Sequence, residues 1–218
     1  MRKLVIVCDD NCRSYGDYLA QLISLEDDTD ENIIGTKDGE VVAVVWDEKN
    51  YTANSATIAS NQYMLFIGQD KLIKEKSLHM NIEFSKFGMK YGWLGKQAFL
   101  TVEEGIKEEK EYDDFIKYAQ NYQADLKSLL DIYKEKKSKG NFKRLSGAGN
   151  GAVIGGLLGG LKGSLIGSAA FAALKIDPFE KVSDFQKKIM LEKASQKQLF
   201  TCAVMKFYLD DLSKFLGL

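Results

Sequence analysis

Hydrophobic positions follow two different regimes along this chain. In the first half they form short apolar runs bounded by polar residues: Leu4-Val-Ile-Val-Cys8, Val41-Val-Ala-Val-Val-Trp46, Tyr63-Met-Leu-Phe-Ile67 and Gln97-Ala-Phe-Leu-Thr-Val102. Runs of this kind are the pattern of buried strands. Behind Ser14, a residue suited to cap a helix, Tyr15, Tyr18, Leu19, Leu22 and Ile23 keep helical spacing. The acidic stretch Glu26 to Glu31 reads as a solvated loop. Lys37-Asp38-Gly39-Glu40 is a turn signal and predicts a hairpin joining Ile33-Ile34 to the run at Val41. Lys71 to Phe87 is expected to be helical, and Gly88 to Lys96 to be a loop packed by Tyr91 and Trp93.

In the second half the period changes to 3.6. Tyr112, Phe115, Ile116, Ala119, Tyr122, Leu126, Leu129, Leu130 and Tyr133 share one face of a long amphipathic helix, from about residue 108 to about 138. Asp177-Pro178 supplies a cap and a first-turn proline, and apolar positions from Val182 to Phe215 again suit a helix. Asp210, Asp211 and Lys214 make this tail too regularly charged to cross a bilayer. The expected fold class is therefore an α/β N-terminal domain over residues 1–105, followed by an all-α region over 106–218.

The α/β half suggests a small Rossmann-like sheet of the flavodoxin or Toll/interleukin-receptor type. Its resemblance to the latter rests on the polar end of the first strand and on Ile58-Ala-Ser60-Asn-Gln-Tyr63 leading into Met64-Leu-Phe-Ile67. Families of that kind cleave NAD with a glutamate on the helix after the third strand. Glu75 is the residue here that the resemblance implies for that role.

Between the two long helical stretches the chain carries a repeat. Glycines fall at Gly147, Gly151, Gly155, Gly159, Gly163 and Gly167, every fourth position, with Ala152, Gly156, Gly160, Ser164 and Ser168 beside them. On a helix these positions form one face almost without side chains, flanked by Val153, Ile154, Leu157, Leu158, Leu161, Leu165 and Ile166. Each interior glycine costs an isolated helix about 1 kcal/mol relative to alanine, so the pattern serves close backbone packing. Residues 147–174 resemble the glycine zippers of bacterial pore-forming and membrane-associated proteins. A helix of this length, roughly 42 Å, is ample for a hydrocarbon core about 30 Å thick. Its apolar residues favour insertion by about 3 to 5 kcal/mol, and Lys162 near the centre returns about 3 kcal/mol. The balance is near zero. Association through the glycine face would have to supply the rest, with Lys162 turned to a lumen or a partner. In the alternative, the same groove packs against the protein's own helices in solution.

Composition narrows the function classes. Thirty basic and 31 acidic residues nearly cancel, which gives no global case for nucleic acid as a partner. The basic stretch Lys134, Lys136, Lys137, Lys139, Lys143 and Arg144 stands directly before the glycine repeat, where it would hold that end at an anionic membrane face. Three cysteines and a start without a signal peptide suit a cytoplasmic protein, conditionally associated with the inner membrane. Cys8 and Cys12 lack metal-site spacing, and Cys8 belongs to strand core. One histidine, His79, argues against histidine-dependent chemistry.

Candidate ligand-binding residues are Asp9 and Asp10, beyond the first strand, and Lys96 in the glycine- and aromatic-rich loop. The aspartates can hold Mg²⁺ or a ribose hydroxyl, or simply end the strand and cap a helix. No catalytic residue or cofactor is identified beyond Glu75, whose role rests on the resemblance alone. The expected function is a membrane-associating, pore-forming effector, toxin-like or defensive, oligomerising through the zipper and sensing a nucleotide-like ligand or protein partner. The alternatives are an enzyme acting on a nucleotide such as NAD and a soluble oligomeric assembly protein.

Overall fold

The structure is a computed structural model that describes residues 2–26, 41–58, 61–120, 122 and 184–218. Six strands form one sheet: β1 Arg2–Cys8, β2 Val41–Asp47, β3 Tyr63–Ile67, β4 Asn81–Lys86, β5 Met89–Leu94 and β6 Gln97–Val102. Their spatial order is β2-β1-β3-β6-β5-β4. β2, β1, β3 and β6 run parallel, whereas β5 and β4 are antiparallel additions at one edge. The helices are α1 Arg13–Glu26, α2 Glu48–Asn54, α3 Lys71–Ser77, α4 over residues 109–120 and α5 Asp184–Lys206. A π-helical turn, Phe207–Asp211, leads into α6 Leu212–Leu216. An α/β unit with a helical C-terminal part is thus present.

Helices cover both faces of the parallel strands, which explains why β1 is apolar at successive positions. Leu4, Ile6 and Cys8 face the larger core with Leu65, Ile67, Ala98 and Leu100, under α1, α4 and α5. Val5, Val7, Met64, Phe66 and Phe99 face the smaller one, closed by Ile73 of α3 and Tyr51 of α2. The larger core continues without interruption into Phe200, Ala203, Val204, Phe207 and Phe215 near the C-terminus. It therefore draws residues from both sides of position 105. Ser195, fully buried on α5, accepts the Ile106 N–H at 2.7 Å and donates to the Glu192 carbonyl at 3.0 Å, fastening α5 to the chain leaving β6.

Several expectations change in detail. α1 starts at Arg13, so Ser14 lies inside its first turn. The acceptor ahead of the helix is the Asp9 carboxylate, which receives the Cys12 N–H at 2.7 Å. The helix expected over 71–87 ends at Ser77, and Asn81–Lys86 is strand β4. Here the alternation of Ile82 and Phe84 with polar neighbours overrides the absence of a helix breaker. The expected loop 88–96 is mostly strand β5, held between two tight turns. Phe87 (φ 54°) and Gly88 (φ 78°) turn β4 into β5, the left-handed pair that a two-residue hairpin requires. Gly95 (φ 60°) and Lys96 turn β5 into β6.

β2 pairs in parallel with β1; its expected hairpin partner Ile33-Ile34 and the turn at 37–40 lie outside the described residues. So do residues 123–183, with the basic stretch and all of Gly147, Gly151, Gly155, Gly159, Lys162, Gly163 and Gly167. Among the described residues, no helix is long and apolar enough to cross a membrane.

Candidate functional site

From β1 the chain moves outward to β2 on one side, and β3 then pairs on the other. Neighbouring parallel strands that lead in opposite directions leave a crevice at their carboxyl ends, where open α/β sheets take ligands. A cleft of about 430 Å³ opens there, lined by Asp9, Asp10, Asp47, Glu48, Gln69 and Asp70 among others. Three of these aspartates stand at or just beyond the ends of β1, β2 and β3, and each meets a local backbone need. Asp9 Oδ1 accepts the Cys12 N–H and Oδ2 the Gln69 N–H at 2.8 Å. Asp47 caps α2 through the Asn50 N–H at 2.7 Å, and Asp70 caps α3 through the Ile73 N–H at 2.9 Å.

The chemistry of this rim follows. Asp9 is buried and has both oxygens engaged, whereas Asp10 is exposed. Lys49 is the cation among the lining residues. A rim so rich in carboxylates repels a bare phosphate. Among the described residues, no group of three or more acidic, histidine or cysteine side chains is arranged to hold a metal ion. Gln69 links the rim to the helical part: its side-chain amide donates to the Val102 carbonyl and its oxygen accepts from Gln196 of α5 at 3.1 Å.

Lys96 is not part of this rim. It precedes β6 and lines a second cleft, of about 640 Å³, near the start of β3 and β6, the opposite end of the sheet from Asp9 and Asp10. Lys76 and His79, from α3 and the turn after it, share that cleft with Tyr51, Met64 and Met80. The structure therefore separates the three predicted ligand residues into two places. Glu75 lines neither cleft; it is an exposed residue of α3 whose carboxylate lies 3.7 Å from Lys71.

Cys8, Cys12 and Cys202 are free and buried. Burial pushes the Cys8 and Cys202 thiols up to about 12 and raises Cys12 further, with Asp9 adding to the latter. Raised values leave them poor nucleophiles.

A polar cluster not anticipated from the sequence lies where the π-helical turn meets β5 and α4. Tyr91 donates to Asp211, Tyr122 donates to Asp210 at 3.1 Å, and Lys206 pairs with Asp210 while lying 4.8 Å from the Phe84 ring centre. The only hint in the sequence was the doublet Asp210-Asp211 beside an apolar helical face.

No protein-family model, no curated protein and no solved structure matches the chain.

Proposed function

We propose that this protein is a membrane-associating effector, toxin-like or defensive, built from an α/β sensing unit and a glycine-zipper segment. The observation that carries the reading is the period-four run from Gly147 to Gly167, preceded by the basic stretch from Lys134 to Arg144. In the resting cytoplasmic form the glycine face is sheltered. On activation it packs against other copies of the chain, and the homo-oligomer associates with the anionic inner membrane. The near-zero insertion balance supports a conditional attachment over a permanent span.

The sensing role falls to the α/β unit, with its Rossmann-like strand order and a cleft at each end of the sheet; the ligand is nucleotide-like or a protein partner. The acidic rim favours a partner that brings positive charge.

Flotation with anionic liposomes tests the membrane half of the reading. Full-length protein should float, protein lacking residues 147–174 should not, and Gly155→Leu with Gly159→Leu should abolish both flotation and leakage. Unchanged leakage in that double variant would overturn the proposal.

A further inference from the structure

The cleft near the start of β3 and β6 holds one cation in a place that packing alone does not require. Of the lysines of α3, Lys71 and Lys74 are exposed, whereas Lys76 is half-buried. Its Nζ lies 5.8 Å from the Tyr51 ring centre and 5.7 Å from that of Phe66, and those two rings meet edge to face. A lysine that only covered apolar surface with its stem would keep its head in water. Here the head itself sits over aromatic rings, contacts that hold an ammonium in place without neutralising it. No carboxylate lines the cleft among the described residues.

The apolar lining lies on the same face of the sheet as this ammonium. Met64 and Phe66 belong to the smaller core, and Tyr51, Ile58 and Met80 pack against it. Met80 is followed by Asn81, the residue that pairs with Trp93, which sets Met80 beside Leu94 in the cleft. Leu94 is 56 % exposed, a large apolar side chain left uncovered where the cleft opens. Lys96 lines the cleft too, but its Nζ stands at Tyr63, which packs on the larger core, so it takes no part in the site. At about 640 Å³ the cleft falls in the size range of small-molecule sites, which combine an apolar lining with a few placed polar groups. Methionines are flexible and suit a ligand chain without a fixed shape.

We propose that this cleft binds an aliphatic monocarboxylate, its carboxylate set against Lys76 and its chain laid over Met64 and Met80 toward Leu94. One ammonium is matched by one negative charge. A phosphate monoester would bring a second charge, for which this face of the cleft offers no further lysine or arginine among the described residues. The chain supplies the affinity that a single half-exposed ion pair lacks, about fourfold per buried methylene. The site goes beyond the sensing role proposed above, which concerns a nucleotide-like ligand or a protein partner, and it is independent of the membrane half.

His79, the one histidine of the chain, also lines the cleft, so its ring protons give an isolated NMR signal there. Full-length protein is titrated with octanoate below its micellar range, and with butyrate, octanol and octyl phosphate. The expected result is a saturable His79 shift with octanoate, about tenfold or more tighter than with butyrate or octanol. Lys76→Gln should weaken octanoate about tenfold and leave octanol unchanged, a split that a general loss of structure would not produce. Leu94→Asp should weaken both; Leu94 is exposed, so this variant keeps the test valid if Lys76→Gln unfolds. Absence of any His79 response to octanoate overturns the site, as does a shift that neither substitution weakens. Butyrate or octanol binding as tightly as octanoate removes the chain or the ammonium from recognition and overturns it equally. Octyl phosphate binding more tightly than octanoate overturns the monocarboxylate class.

Discussion

Asp9 ties the ends of two parallel strands together: its Oδ2 accepts the Gln69 N–H at 2.8 Å, while Oδ1 accepts the Cys12 N–H at 2.7 Å. Both donors are backbone groups at the exits of β1 and β3, and the carboxylate is buried. Removing it takes the acceptor from the Gln69 N–H, at a cost of about 1 to 3 kcal/mol where water cannot replace it, while the Cys12 N–H keeps the Asp9 carbonyl at 3.1 Å. Asp9→Ala should therefore lower the urea midpoint by about 1 to 3 kcal/mol of stability. Asp10→Ala, on an exposed residue, should leave the midpoint within about 0.5 kcal/mol of the parent. If the two variants proved equally stable, Asp9 would not be the clip between these strands.

A second test concerns the π-helical turn. Tyr91 is fully buried on β5, and its hydroxyl donates to Asp211, which Lys214 also contacts at 2.7 Å. Burial, followed by this bond to a carboxylate, holds the Tyr91 phenol well above its ordinary range. Tyr91→Phe removes the bond and keeps the ring against Phe84 and Phe207. The expected loss is about 1.5 to 3 kcal/mol, the worth of a hydrogen bond to a charged group. Combined with Asp211→Ala it should cost less than the sum of the single effects, because both changes remove the same contact.

How much of this was legible beforehand depends on how local the signal is. β1, β3 and β6 each hold a run of successive apolar residues (Leu4 to Cys8, Tyr63 to Ile67, Ala98 to Leu100) because both sheet faces are covered, and such runs declare themselves. β4 did not, since Ile82 and Phe84 alternate with polar residues directly behind a helix that has no proline or glycine to end it. Asp9 was legible as a strand-ending residue, but its partner Gln69 lies 60 positions away, a separation no local pattern reveals. The same holds for the Lys76, His79 and Lys96 cleft, which forms only when the β5–β6 turn returns beside the end of α3. Lys96 was singled out for its neighbours in sequence, and the fold gave it others.

The buried thiols make stability depend on alkaline pH. A cysteine in the unfolded chain titrates near 9.0, whereas burial pushes Cys8 and Cys202 up to about 12 in the folded one. Above pH 9 the unfolded state has already lost protons that the native state retains, so stability falls with rising pH. The contribution is complete below about 9 and is lost as pH climbs toward about 12. Urea midpoints measured across this window should fall less steeply in Cys8→Ala than in the parent. At neutral pH, labelling by Ellman's reagent should be slow and should track unfolding. Rapid labelling of the native protein would contradict the buried placement.

The last prediction addresses how α5 is seated. Gly105, in the loop after β6, lies so close to α5 that a Cβ there would stand 2.0 Å from the Glu192 carbonyl oxygen. That oxygen is backbone and also accepts the Ser195 hydroxyl at 3.0 Å, so it cannot move without disturbing the Ser195 bond to Ile106. Gly105→Ala must push the helix off the loop, at a cost of about 1 to 3 kcal/mol for overpacking. The shift also strains the Gln69–Gln196 contact farther along α5. Gly105→Ala should therefore lower the thermal midpoint and raise amide exchange in α5 more than in β1 and β3, whose bonds lie deep in the sheet. Ser195→Ala, which removes the same fastening from the other side, should reproduce the exchange pattern. Exchange that rises equally in the strands and in α5 would mean that the helix is not the element displaced.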